Sequence, residues 1–305
     1  MDEIVKCLGT PYFKTKDFVL YNIDCIEGME KLSNSKIKIV LTVTSPPYNI
    51  GKEYEENKEI NEYVSWCEKW MKLIYKITSD NGSFWLNLGY TKVEKKGRCV
   101  PISYLLWDKT DFFLNQEIVW HYGAGVSCKN YMSPRNEKFL WFLKDSEDYI
   151  FNLNEIRDKN VKYPNQKKDG KLRCNPLGKN PTDVWDIPKV TSGKDRSSKE
   201  RTDHPAQFPL EVIERIIKGS SNEGDLILDP FMGSGTVAES CLSNNRIVIG
   251  FEINEDYCKI IKKRINNMQK KITPKRKVKE EEKEEEEDIT EDIAERKKKK
   301  FSVKN

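Results

Sequence analysis

Residues 225–252 carry the pattern that most restricts the fold. The run Asp225-Leu226-Ile227-Leu228-Asp229 is an apolar strand closing on an acid, and Pro230-Phe231-Met232-Gly233-Ser234-Gly235-Thr236 turns the chain. A helix is predicted over about 235–242, and 246–252 (RIVIGFE) returns as a second strand that also ends on an acid, Glu252. Short β-branched runs bounded by turn signals read as buried strands, and two of them joined through a helix make a βαβ unit. The same alternation fills the first half of the chain. A strand over 18–23 ends at Asp24, a helix follows over 25–32, and a strand over 37–43 runs into Thr44-Ser45-Pro46-Pro47-Tyr48. Next come a helix over 63–74, a turn at Asp80-Asn81-Gly82, and a strand over 83–88. A helix around 102–107, strands over 116–120 and 138–143, and a helix over 209–217 complete the set. Strands alternating with helices predict an α/β domain with a mixed, mostly parallel sheet.

The pattern dissolves over 151–203 into Lys, Asn, Pro, Gly and Ser, and a loop of that length is usually functional or disordered. Its charge favours a working surface. Residues 157–201 hold 13 Lys and Arg against 6 Asp and Glu, whereas the whole chain is only +4. A concentrated basic stretch is either a solvated face or the footprint of a polyanion. Beyond residue 270 the chain consists of charge blocks that bury too little surface to order themselves. The expected organisation is therefore 1–150 and 204–269 as two halves of one domain, 151–203 as an insert, and 270–305 as a charged tail.

Eight scattered cysteines with no Cys-x-x-Cys pair, and two histidines, suggest neither a disulfide framework nor a metal site. No N-terminal leader pattern and no apolar run of membrane-spanning length is read, so a cytoplasmic, membrane-free protein is expected.

Two loops carry the chemistry. In the turn after Asp229, Gly233 and Gly235 permit close approach of a ligand to backbone, and Glu252 stands where an acid accepts hydrogen bonds from ribose hydroxyls. A dinucleotide prefers a third glycine and a helix N-terminus facing pyrophosphate. Here Val237-Ala238-Glu239 fills that position, which suits a phosphate-free nucleoside such as S-adenosylmethionine better. The other loop is Ser45-Pro46-Pro47-Tyr48. Its prolines end a strand because they offer no backbone donor, and whether the serine and tyrosine do more is not decided by that loop alone.

Taken together, TSPPY, the HPAQFP stretch from His204 to Pro209 and DPFMGSGT, in that order, resemble the amino-methylating DNA methyltransferases of the group whose catalytic motif precedes the cofactor motif. The resemblance covers most of residues 17–265. It implies a circularly permuted Rossmann-like fold that uses S-adenosylmethionine. Asp24, His204, Asp229, Phe231, Gly233, Ser234, Gly235, Thr236 and Glu252 are then the cofactor side. Asp24 is also a natural helix N-cap, and His204 a possible turn residue. Ser45, Pro46, Pro47 and Tyr48 are the catalytic side. Ser45 Oγ and the Pro46 carbonyl would accept the two N–H bonds of an exocyclic amine, whose lone pair is otherwise delocalised, and Tyr48 would stack on a flipped base.

The resemblance further implies duplex DNA as substrate, read by the basic insert, and a restriction endonuclease as a candidate partner. Serine at the first position of the tetrapeptide favours cytosine N4, with adenine N6 the alternative. An RNA methyltransferase and an inactive DNA-binding protein are the further rivals. A cytosine C5 enzyme is disfavoured, since no Pro-Cys dipeptide occurs.

Overall fold

Apolar residues alternate along the strands and recur at helical spacing along the helices, and the two periods sort the chain into one sheet covered on both faces. The computed structural model describes residues 1–51, 57–125, 127–191 and 198–270. In chain order these form α1 (Asp2–Leu8), β1 (Phe13–Lys14), β2 (Phe18–Tyr21), α2 (Cys25–Ser33), β3 (Ile39–Thr44), α3 (Ile60–Ile77) and β4 (Thr78–Leu88). A hairpin of β5 (Tyr90–Val93) and β6 (Gly97–Pro101), then α4 (Ser103–Leu106), β7 (Phe113–His121) and β8 (Asn136–Leu143) follow. The remainder is a second hairpin, β9 (Lys167–Lys168) with β10 (Lys171–Leu172), then β11 (Val184–Asp186), α5 (Leu210–Ser220), β12 (Leu226–Asp229), α6 (Thr236–Ser243) and β13 (Ile247–Phe251).

Among the described residues, nine strands form the main sheet in the order β1-β2-β13-β12-β3-β4-β8-β7-β11. The centre, β2-β13-β12-β3-β4, is parallel throughout. β8 is antiparallel to both β4 and β7, and β1 to β2. Successive residues of β4 serve opposite faces. Phe84 and Leu86 join the core under α2 and α3, together with Met29, Trp70 and Met71, while the Trp85 indole points to the other side and donates to Ser220 Oγ of α5 at 3.0 Å.

Two expectations are corrected. The turn at Asp80-Asn81-Gly82 lies inside β4, where the register against β3 shifts between Ile39 and Leu41 and the extra residues bulge out of the ladder. Residues 151–203 are not one loop. Lys167–Leu172 is a hairpin whose central residues Asp169 and Gly170 both take positive φ, and Val184–Asp186 joins the main sheet parallel to β7. The short strands β1, β5 and β6 and the helix α1 were not expected at all.

The chain divides into a unit over Met1–Ile261 and a second over Lys262–Asn305. Of the second, residues 262–270 are described and are helical. The charged tail beyond 270 lies outside the described residues.

Candidate active site

β3, β12 and β13 end side by side, and their C-terminal loops open onto a cavity of about 480 Å³. Ligands bind in this crevice of open parallel sheets because the loops there diverge. Asp24, Ser45, Pro46, Pro47, Tyr48, His204, Asp229, Phe231, Gly233, Ser234, Thr236 and Glu252 all line it. Gly235 does not. It caps the N-terminus of α6 in the left-handed conformation (φ 75°), facing Ile261.

On the β12 side, Asp229 is buried, and its Oδ1 accepts from Thr44 Oγ1 at 2.6 Å and from the Phe231 amide at 3.1 Å. Burial pushes its carboxyl up to about 7, with a small addition from Glu252, against the two hydrogen bonds that favour the carboxylate. Glu252, one residue beyond β13, accepts from the Gly233 amide at 2.8 Å and the Asn254 amide at 2.9 Å, one on each oxygen. A carboxylate offers about four acceptor positions, so Glu252 keeps capacity for further donors. Burial raises its pKa. Gly233 has φ 49°, and a Cβ there would stand 3.1 Å from His204 Nε2. The glycine is thus needed both for its conformation and for space.

His204 is buried against the Tyr257 ring, with centroids 4.4 Å apart, and its Nδ1 contacts the Ala206 carbonyl. Burial lowers its pKa to about 4, and Arg201 adds to this, so the ring is neutral at pH 7. Asp24 is the N-cap of α2, its Oδ1 accepting from Ile26 N at 2.8 Å and Glu27 N at 3.4 Å. It lines the cavity as well, so capping the helix does not withdraw it from the site. The Phe231 ring packs edge-on against Trp66 and Trp70 of α3.

On the β3 side, Tyr63 of α3 donates to the Pro47 carbonyl at 2.8 Å and fixes the peptide between Pro47 and Tyr48. Ser45 Oγ donates to Tyr48 Oη at 2.9 Å. Around that phenol stand two groups no motif flagged, Asn87 Oδ1 at 2.6 Å and Glu137 Oε2 at 3.0 Å. Lys189 Nζ donates to Glu137 Oε1 at 3.1 Å. All three line the cavity. Asn87 had one signal in the sequence, an amide inside the apolar strand SFWLNL. Glu137 and Lys189 had none. Among the described residues there is no cluster of His, Cys, Asp and Glu suited to a metal, and no helix is long and apolar enough to cross a membrane.

Residues 39–263 match the family model described as DNA methylase. Type II methyltransferase M.ScaI of Streptomyces caespitosus is 57% identical over 258 residues, covering 85% of this chain and 84% of the relative. Among solved structures, PvuII DNA methyltransferase (cytosine-N4-specific) superimposes with a TM-score of 0.65 at 21% identity, over 84% of this chain and 89% of that one. The M1.HpyAVI–SAM complex superimposes with a TM-score of 0.54 at 24% identity, over 82% and 99%. At these identities the two structures speak for the fold.

Proposed function

Because this chain belongs to the N6/N4 DNA methylase family, we propose that it transfers the methyl group of S-adenosylmethionine to the exocyclic N4 amine of cytosine in duplex DNA, as the modifying enzyme of a restriction-modification pair. One observation carries this reading: the Ser45–Tyr48 loop and the Asp229–Glu252 loops face a single cavity. The catalytic loop precedes the cofactor loop in the chain, so the group is the permuted one.

The cavity suits S-adenosylmethionine. Gly233 keeps the backbone where a Cβ would crowd His204, and Glu252 retains acceptor positions for a ribose diol. Glu137 and Lys189 pair with each other at 3.1 Å, and Asp24, Asp229 and Glu252 face Arg201, an acidic balance that favours a sulfonium cation, and neutral His204 adds no repulsion. When bound, this cofactor supplies a methyl carbon activated by positive sulfur.

The chain supplies position and hydrogen bonding. Ser45 Oγ and the Pro46 carbonyl accept the amine hydrogens, which draws the nitrogen lone pair out of the ring, and the two prolines hold that carbonyl in one direction. Tyr48 packs against the extruded base. The basic residues of 157–201 hold phosphates and leave Asn and Arg to read base edges.

Cytosine is preferred over adenine because Ser45 stands first in the tetrapeptide. The test is digestion of DNA methylated by the enzyme, with the nucleosides identified by mass spectrometry. N4-methylcytosine is expected. N6-methyladenine as sole product overturns the base assignment, and label entering RNA but not DNA overturns the substrate. Ser45→Ala should lower transfer by about 100-fold or more with cofactor affinity kept.

A further inference from the structure

We infer that Glu137 is a positioning residue of the reaction: its carboxylate turns the Tyr48 hydroxyl hydrogen away from Ser45, and so leaves Ser45 Oγ facing the target amine as an acceptor. The inference rests on the reading of Ser45 as the group that accepts an amine hydrogen.

Tyr48 Oη has three polar neighbours, Ser45 Oγ at 2.9 Å, Asn87 Oδ1 at 2.6 Å and Glu137 Oε2 at 3.0 Å. A phenol owns one hydrogen, and carboxylate and amide oxygens only accept. The amide of Asn87 is held in this orientation by its Nδ2, which donates to the Lys138 carbonyl at 3.4 Å. The Tyr48 hydrogen is therefore committed to the Asn87–Glu137 side, and its contact with Ser45 is made only when Ser45 donates. A serine hydroxyl has one hydrogen and two lone pairs. With the hydrogen turned to Tyr48 Oη at 2.9 Å, or to Asn87 Oδ1 at 3.5 Å, the lone pairs are what a base in the cavity meets. The opposite polarity would aim the serine hydrogen at the amine nitrogen, where it competes for the lone pair that must attack the methyl group.

The carboxylate is itself held. Its other oxygen, Oε1, accepts from Lys189 Nζ at 3.1 Å and Tyr122 Oη at 3.4 Å, and the Lys189 ammonium lies 3.7 Å above the Tyr122 ring. The Glu137 side chain is only 15% exposed. The titratable groups facing it are thus Tyr48 from the catalytic loop, Tyr122 just beyond β7, and Lys189 beyond β11. These segments are far apart in sequence and meet because β8 lies between β4 and β7.

The test is single-turnover methyl transfer by the full chain to genomic DNA from a host that lacks DNA methylation. Glu137→Gln keeps the shape but places an amide donor beside Tyr48, and should slow transfer about 10- to 100-fold with affinities for S-adenosylmethionine and DNA within about twofold. In a Tyr48→Phe background the same substitution should cost nothing further, because the hydrogen it orients is gone. Lys189→Met, which loosens the carboxylate, should show a smaller loss that also vanishes with Tyr48→Phe, and serves if Glu137→Gln does not fold. An equal loss in both backgrounds, an unchanged rate, or a defect confined to DNA affinity would each overturn the inference. Failure of the unmutated chain to methylate any DNA overturns the functional reading instead.

Discussion

Thr44 and Asp229, 185 residues apart in sequence, share a buried hydrogen bond of 2.6 Å in which the threonine hydroxyl donates to Oδ1 of the acid. β3 and β12 are neighbours in the sheet, so this one bond ties the last residue before Ser45 to the acid that opens the glycine-rich turn. Thr44→Val keeps the shape and removes the donor. Leaving a buried acceptor short of its partner costs about 1–3 kcal/mol, which urea unfolding at neutral pH should show, while Thr44→Ser should retain most of the wild-type stability.

Asp229 sets a pH dependence whose sign follows from its environment. Its carboxyl is pushed up to about 7, first by burial, above the value near 4 expected in the unfolded chain. The folded state then binds the proton more tightly, so this group's contribution to unfolding free energy falls as pH rises from about 4 to about 7 and is constant above. Asp229→Asn removes that loss. The variant should match the wild type in thermal stability at about pH 4 and exceed it at about pH 8, while losing affinity for the cationic cofactor. Wild-type cofactor affinity should rise through pH 7, since binding a cation favours the carboxylate. Melting curves and calorimetric titrations across this range give both readouts.

Gly89 follows β4 and lies under Tyr48. A Cβ placed there would stand 2.7 Å from the tyrosine ring, closer than real contacts allow. Gly89→Ala should therefore displace the ring and reduce kcat by about 10-fold or more, with cofactor affinity unchanged, as shown by methylation kinetics beside equilibrium binding.

Gly233 tests the opposite side of the cavity. Its φ of 49° is left-handed, and a Cβ would press on His204 at 3.1 Å. Gly233→Ala should cost about 1–2 kcal/mol for the backbone conformation alone, and weaken cofactor binding without changing the transfer rate of enzyme saturated with cofactor. A lower saturated rate would mean that this turn also shapes the reacting end.

What the sequence made legible was whatever depends on local chemistry. Asp229 ends one apolar strand and Glu252 directly follows another, the prolines after Ser45 terminate a third, and each of these positions is readable because strand ends and turns have residue signatures. Glu137 has none: it sits at the start of a strand read from its apolar residues, and its role comes from an antiparallel pairing in which Leu88 opposes Lys138 and Asn87 opposes Phe139. Such register is fixed by packing between distant segments. The Asp80-Asn81-Gly82 error has the same origin, since three turn-forming residues were absorbed as a bulge by neighbours on both sides. Residues 167–172 are a different case. Asp169-Gly170 is a two-residue hairpin signal, hidden because the flanking lysines give no apolar alternation.

That hairpin bears the last prediction. Lys167, Lys168 and Lys171 are exposed on a two-stranded ribbon outside the main sheet, and an isolated ribbon of this kind is at best marginally stable. Its form owes more to the Asp169-Gly170 turn, with φ of 51° and 77°, than to any core. Three lysines held at one tip suit the phosphate backbone. Each phosphate contact contributes about 0.9 to the slope of log affinity against log salt on duplex DNA. Replacing the three lysines with glutamine should flatten that slope by about 2 to 3, weaken binding alike on specific and nonspecific duplexes, and leave the rate at saturating DNA unchanged. Amide exchange in residues 165–173 should slow when DNA is added. An unaltered slope would place the hairpin off the DNA and shift the electrostatic contacts to the remaining basic residues of 157–201.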